Sequence, residues 1–315
     1  MPRPATASPP EPPRALHPDL QRTILGWYAV QGRELVFRAT SDPYAILVSE
    51  AMAQQTQARR AGVYWERFML EFPSVGALAA ATPAAVIRAW RGLGYNRRAL
   101  ALRRAAIAIV EEYGGHVPDD IAALQRLPGV GPYTARAVAA LAFGRPVGAV
   151  DVNVRRVLSR VVGGRLDALT GAELQATADA SVPVDAPGPW THALMDIGAR
   201  FCLPRRPGCA ACPAAGGCQF ALNAVNEQAA PAGPIARSLP AARERAAPFE
   251  TTSRWIRGRL LDLLRDAPAD DWVAIPALIG QHDRAAIERA LVAMARDGLV
   301  ERAVGRPDMA RLPID

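Results

Sequence analysis

Four cysteines, Cys202, Cys209, Cys212 and Cys218, lie in one short stretch with the spacing C-x6-C-x2-C-x5-C, and the chain has no others. Four thiolates this close in sequence can enclose a tetrahedral zinc or a cubane iron–sulfur cluster, and the ligand count does not choose between them. A clustered set in a chain with no secretion signal points to a metal site before a disulfide framework. Arg205 and Arg206 fall inside the first interval, so the loop offers two guanidiniums. A second chemical feature is the stretch from Leu127 to Asp151, LPGVGPYTARAVAALAFGRPVGAVD. Its turn Gly129-Val130-Gly131 can leave backbone amides uncovered, so that a phosphate oxygen approaches them closely. The same turn can also serve only to join two packed helices. Asp151 brings a carboxylate back at the far end. A third feature is Glu50, which shares a polar strip with Gln54 and Gln57 at helical spacing, where a solvated glutamate is the commonest occupant.

These residues need elements to hold them. Half of the 315 residues are hydrophobic but only 6% are aromatic, and alanine is abundant, which favours packed helices over sheets. Asp19 is suited to cap a helix through Leu20, Ile24, Leu25 and Tyr28 that stops near Gly32. Pro43 opens a long helical stretch that reaches Phe72 and carries Glu50 and Gln54. Thr82 with Pro83 starts a helix through Trp90, and Arg97 starts one through Val110 that halts before Gly114-Gly115. Short helices with short loops imply an orthogonal helical bundle. Between them GLGYNRR places Tyr95, Arg97 and Arg98 at a turn, where an aromatic either stacks on bases or anchors the turn. Pro132 begins a helix ending around Gly144. After Asp151, VNVRRVLSRVV reads as a helix whose Arg155, Arg156 and Arg160 make an arginine-rich edge. A helix from Trp190 leads into the cysteines.

The formal net charge is +7, and all 37 basic residues are arginine, because the chain contains no lysine. That balance suits a polyanionic partner and removes side-chain amine chemistry altogether. No segment reads as a signal peptide or membrane span, so a cytoplasmic, nucleoid-associated protein without a membrane partner is expected. Residues 1–18 are expected to be a disordered proline-rich tail, 19–222 the main domain, 223–250 a linker, and 251–315 a small C-terminal domain. In that last part Trp255, Ile256, Leu260, Leu261 and Leu264 make one helical face. VAIPALIG and AAIERALVAMARDG suggest two more helices, and LVERAV and MARLPI two strands about Gly305-Arg306-Pro307. Three helices and a hairpin are the pattern of a winged helix. It serves as a second DNA contact through Arg306, as a protein-docking module, or only as a stabilising domain.

In order along the chain, SEAMAQQTQ, GLGYNRR, LPGVGPYTARA, VDVNVRRVL and the cysteine run resemble the helix-hairpin-helix (HhH-GPD) glycosylases of base-excision repair. More specifically they resemble the adenine DNA glycosylase (MutY-like) family, which excises adenine mispaired with 8-oxoguanine or guanine. The resemblance covers about Asp19 to Ala221. It implies an all-α fold, a two-lobed glycosylase domain whose cysteine loop holds a [4Fe-4S] cluster, here followed by the winged-helix-like domain. It implies that Glu50 is the general acid at adenine N7, with a pKa raised by burial, and that Asp151 stabilises or traps the oxocarbenium ion. Tyr133 and Asn153 match residues orienting that centre. Gln54 matches the wedge that fills the gap left by the flipped base, and Tyr95 the intercalating tyrosine. Gln55, Arg97, Gly129, Val130, Gly131, Arg155, Arg205 and Arg206 are the further DNA contacts, and Arg38 belongs to the base pocket. Relatives that cut the strand carry a lysine in the hairpin. Tyr133 stands in that place here, which implies a monofunctional enzyme, acting as a monomer on double-stranded DNA with a mispaired adenine.

Two departures bear on the substrate. Val36-Phe37-Arg38 replaces a connector that usually shows tryptophan before its arginine, and Val152 stands where the family shows glycine. Residues 251–315 also do not resemble the nucleotide-pyrophosphatase-related domain that reads 8-oxoguanine in the family. The competing expectations are therefore a thymine or uracil mismatch glycosylase of the same fold, and a non-catalytic iron–sulfur DNA-binding regulator.

Overall fold

The computed structural model describes residues 14–229, 248–268 and 271–315. In chain order the elements are α1 (Pro18–Gln31), a 3₁₀ turn (Val36–Arg38), α2 (Pro43–Ala53), α3 (Ala58–Glu71), α4 (Val75–Ala80), α5 (Pro83–Ala89), α6 (Arg97–Tyr113), α7 (Ile121–Arg126), α8 (Pro132–Phe143) and α9 (Val152–Gly163). There follow α10 (Gly171–Ala180), α11 (Pro187–Arg200), 3₁₀ turns at Cys209–Ala211 and Ala215–Gly217, α12 (Gln219–Ala229), α13 (Ser253–Asp266), β1 (Val273–Ala274), α14 (Arg284–Arg296), β2 (Glu301–Ala303) and β3 (Arg306–Arg311). The fold is mostly helical, with one small sheet at the C-terminal end. Among the described residues no helix is long and apolar enough to cross a membrane.

The chain forms two compact units, and it passes from one to the other after Glu34 and back within α8, between Ala135 and Arg136. In one unit α9 is the central element, packed against α10, α11 and α12, with α1 against α11. Val154, Val157, Leu158, Leu174, Trp190, Leu194 and Ile197 bury the facing surfaces, with Ile24 from α1. Leu16 belongs to this core as well, and its amide donates to Ser181 Oγ at 3.0 Å. The end of the expected tail is therefore part of the fold, while residues 1–13 lie outside the described residues. The first helix starts at Pro18, capped by the His17 ring, which accepts from the Asp19 amide. Asp19 sits inside the first turn instead of at the cap.

The other unit contains α2 to α7 together with α13, α14 and the sheet. Its largest departure from expectation is the stretch from Pro43 to Phe72, which is two helices broken at Gln54–Gln57. No glycine or proline marks that break. Its cause lies elsewhere in the chain, in Arg98. In the C-terminal region the helix expected over VAIPALIG is instead β1 followed by a turn bridged between Ile279 and His282. Pro276 lacks an amide for helix bonding, and Val273 and Ala274 find backbone partners in Ala310 and Met309 of β3. The sheet is antiparallel in the order β1-β3-β2; the expected hairpin forms but turns at Val304-Gly305, and Arg306 and Pro307, expected in the turn, begin β3. The expected linker begins as helix, since α12 runs to Ala229; residues 230–247 lie outside the described residues.

Candidate active site

Asp151 is the N-cap of α9. One carboxylate oxygen, Oδ1, accepts from the amides of Asn153 at 2.9 Å and Val154 at 2.7 Å, which satisfies two of the donors a helix start leaves open. Oδ2 accepts from Asn153 Nδ2 at 2.8 Å. The Asn153 amide is itself oriented, because its Oδ1 accepts from Arg156 Nη2 at 2.9 Å. Arg156 then bonds the carbonyls of Gly198 and Cys202. A continuous run of hydrogen bonds thus joins the carboxylate to the start of the cysteine loop. Gly198 is required where α11 crosses α9, since a β-carbon there would come within 2.5 Å of Asn153 Cβ. The segment delivering Asp151 is tied down as well. Asp179 Oδ1 accepts from the Gly148 amide at 2.8 Å and from Arg136 Nη1 at 2.6 Å, and Gln175 Nε2 donates to Gly148 O at 2.9 Å.

Of the arginine edge expected on α9, only Arg155 is exposed. Arg160 is 3% exposed and turns into the cysteine loop. It donates to Leu203 O at 2.8 Å, Pro204 O at 3.1 Å and Cys202 Sγ at 3.3 Å, with its guanidinium 4.8 Å over the Phe220 ring. Helical spacing places Arg156 and Arg160 one turn apart, so both clamp the same loop. All four cysteines line one small hollow with Val157, Ile197 and Phe220. Burial, with the neighbouring thiols adding to it, pushes the Cys212 thiol up to about 11 and raises Cys218 too. A cation among these sulfurs would reverse that preference. The donor set, four soft sulfurs backed by buried guanidinium and backbone, fits a thiolate-bound metal group. As folded, no set of three or more His, Cys, Asp or Glu among the described residues is gathered tightly enough to hold a metal ion. Arg205 and Arg206 are exposed on the same loop.

The remaining candidates stand in the other unit. Glu50 is 8% exposed near the end of α2. Gln54 caps that helix, and its Nε2 donates to Thr134 Oγ1 at 3.4 Å, so the wedge candidate touches the first turn after the glycine hairpin. In the hairpin Gly129 has φ 80° and lies so close to α6 that a β-carbon would meet Ala101 Cβ at 2.7 Å. Only glycine fits both demands. Val130 is buried, Gly131 starts the approach to α8, and the Ala135 amide donates back to Gly131 O at 3.0 Å. Tyr133 is half-buried in the first turn of α8, where helix amides have no partner inside the helix. Arg38 is half-buried in the 3₁₀ turn whose Phe37 packs edge-on to Trp65 of α3. Val152, at the family's glycine position, is 74% exposed as the first residue of α9.

Arg98 is the residue that the motif hid. It stands beside Arg97 in GLGYNRR, yet the two face different partners. Arg97 is exposed and 3.7 Å from Asp297. Arg98 donates to Ala51 O at 2.7 Å, Met52 O at 3.3 Å, Gly94 O at 3.2 Å and Leu93 O at 3.4 Å, and also to Gln54 O. It thereby ends α2 at Gln54 and ties that end to the Tyr95 loop. Burial pulls its pKa down from the usual arginine value. Arg98→Ala should leave several carbonyls unsatisfied and cost about 3 kcal/mol, read as a lower urea midpoint of the full chain. An unchanged midpoint would show that water replaces the guanidinium at no cost.

Residues 48–178 match the family model of the HhH-GPD superfamily of base excision DNA repair proteins. The chain is 40% identical over 281 residues to the adenine DNA glycosylase of Mycolicibacterium smegmatis, which covers 89% of this chain and 92% of that one. It is 38% identical over 228 residues to human adenine DNA glycosylase, covering 69% of this chain and 42% of the human one. Among solved structures, a thermostable thymine-DNA glycosylase superposes with a TM-score of 0.61 at 31% identity, over 65% of this chain and 96% of that one. An endonuclease III–DNA covalent intermediate superposes with a TM-score of 0.57 at 24% identity over 66% of this chain and 96% of that one, a likeness of fold. This chain belongs to the adenine DNA glycosylase family, within the HhH-GPD base-excision DNA repair superfamily.

Proposed function

We propose that this base-excision-repair glycosylase removes adenine mispaired with 8-oxoguanine or guanine from double-stranded DNA, as a monomer and without cutting the strand. The observation that carries the reading is the fixed Asp151 carboxylate, with Asn153 oriented behind it by Arg156. Cleaving an N-glycosidic bond builds positive charge on the sugar, and an ionised carboxylate held ready for that charge lowers the barrier. Glu50, buried in α2, supplies the proton to adenine N7 that makes the base a better leaving group. Tyr133 and Asn153 orient the reacting centre, and Arg38 contributes to the base pocket.

Gln54 and Tyr95 enter the duplex when the adenine is turned out, and the amides at Gly129, Val130 and Gly131 take a phosphate. Gln55 adds a polar contact to DNA, and Arg97, Arg155, Arg205 and Arg206 add contacts through charge and so without sequence preference. Cys202, Cys209, Cys212 and Cys218 would hold the [4Fe-4S] cluster, which when bound supplies a rigid, DNA-facing loop. Residues 251–315 form a winged-helix-like domain. A nucleoid-associated, cytoplasmic location follows from the substrate.

The reaction type rests on Tyr133 and on the absence of lysine. Strand cleavage through a lysine Schiff base needs a side-chain amine at the sugar, and this chain has none. Single-turnover base release from duplexes with adenine opposite 8-oxoguanine, adenine opposite guanine, thymine opposite guanine and uracil opposite guanine tests the whole proposal. Adenine release with nicking only after alkali is the expected result. Rapid nicking without alkali would overturn the monofunctional reading. A second reading, thymine or uracil removal, is favoured by the 31% identity to a thymine-DNA glycosylase and by the altered connector at Phe37. Release of those bases in place of adenine would establish it.

A further inference from the structure

Among the described residues only Gln55, with φ 55°, and Tyr95, with φ 46°, are non-glycine residues in the left-handed region. Such a backbone is costly for a residue with a β-carbon, persists where its surroundings over-determine it, and clusters where ligands are held. Both residues line the same cavity of about 920 Å³, which lies between the Gly92–Arg98 segment and α13 of the C-terminal domain. The lining is strongly basic. Arg60, Arg98 and Arg254 have no carboxylate partner among the described residues, and the cavity's single carboxylate, Asp262, is already engaged by Arg259 and Arg265. Arg254, an exposed residue in the first turn of α13, holds its guanidinium 4.5 Å over the Tyr95 ring, with Nη1 3.3 Å from Tyr95 Oη. An aromatic face, side-chain amides of Gln54 and Gln55, and cations without counter-charges in one cavity with room for a nucleotide are the chemistry of a nucleic-acid subsite.

We propose that α13 completes a subsite for the nucleotide opposite the target adenine, with Arg254, Tyr95 and Gln55 among its contacts. The C-terminal domain then reads the second strand through α13, not through the hairpin that carries Arg306. The inference deepens the glycosylase reading and rests on it, since that reading brings Gln54 and Tyr95 to the mispair. Guanine and 8-oxoguanine share the O6 acceptor, which a guanidinium N–H can reach; the second arm of the fork finds N7 in guanine, whereas N7 of 8-oxoguanine carries a hydrogen, and a lysine's point charge lacks the planar fork.

The test uses the full chain and duplexes with a tetrahydrofuran abasic analogue at the target position. Guanine, 8-oxoguanine or a second tetrahydrofuran stands opposite, and Kd is read by fluorescence anisotropy. Arg254→Gln should weaken binding to both base-containing duplexes about tenfold and leave the baseless duplex unchanged, with Arg254→Lys restoring only part of the loss. Arg254 is exposed and Thr252 still caps α13, so the fold should stand, and thermal melts check this. Equal loss on all three duplexes would reduce Arg254 to a phosphate contact and overturn the subsite, as would no loss on any. If wild type releases thymine or uracil in place of adenine while the base-dependent loss persists, the adenine reading fails and the subsite stands. If wild type releases adenine while Arg254→Gln leaves every affinity unchanged, the subsite fails and the adenine reading stands.

Discussion

Asp151→Asn should lower single-turnover base release by about 10³-fold while duplex affinity stays within a few fold. The substitution isolates charge from architecture. Asparagine is about as good an N-cap as aspartate, so the bonds from the Asn153 and Val154 amides survive. The second bond is more demanding. Asn153 Nδ2 donates to Asp151 Oδ2, and Asn153 cannot turn its amide over without losing the bond from Arg156 Nη2. An introduced asparagine that keeps its one oxygen on the Asn153 and Val154 amides therefore turns its own NH2 toward Asn153 Nδ2 and loses that bond, at a stability cost of about 1 kcal/mol. That cost is small beside the loss of a carboxylate facing a positively charged sugar. Slow release with binding retained would also remove the reading of the chain as a non-catalytic regulator, which has no use for this carboxylate. Undiminished release would dismiss Asp151 as the stabilising group. Loss of binding in step with the rate would assign it to the shape of α9 instead.

What the sequence made legible was its punctuation and its motifs. Thr82-Pro83, Pro132 and Asp151 each open the helix their chemistry suggests, and Gly114 and Gly32 each close one. The start of α10 carried a readable signal too, a Thr170–Glu173 capping box with bonds of 2.8 and 3.3 Å, although the helix was not among those expected. What stayed hidden was decided by partners far away in sequence. The break at Gln54–Gln57 has no local cause, because it depends on Arg98 claiming the end of α2. Arg156 and Arg160 share helical spacing with Arg155 but point to the cysteine loop, a choice fixed by where α11 and that loop lie. A run of arginines reads as a solvated, DNA-facing edge; only packing shows which of them are structural. The strand at Val273–Ala274 is hidden for the same reason, since its pairing partner comes more than thirty residues later.

Removing residues 249–315 should destabilise the remaining glycosylase unit by about 5 kcal/mol, seen as a Tm lowered by more than ~10 °C or as loss of a cooperative transition. The C-terminal domain shares a core with α5 and α6. Ala84, Ile87 and Leu100 are buried against Ile256, Leu260, Leu261, Leu264 and Met294, and deletion would return them to water. Polar groups would lose partners at the same time. Arg265 donates to Ile87 O at 3.0 Å and to Asn96 Oδ1 at 2.8 Å, and burial lowers its pKa, so this is a guanidinium committed to the junction. The Ala84 amide, near the start of α5, donates to Pro313 O at 2.9 Å. Ile87 O, Asn96 Oδ1 and the Ala84 amide would exchange these partners for water, at about 1 kcal/mol each, which adds to the exposed apolar surface. Leu261→Ala in the intact chain is the gentler version, with an expected cost of about 3 kcal/mol. A weakened duplex affinity in the truncated chain would then report unfolding as much as lost contacts, so DNA contact by this domain has to be read from exposed substitutions such as Arg254→Gln. A truncated chain that keeps its Tm would show the opposite, that the shared core is dispensable and the domain an appendage.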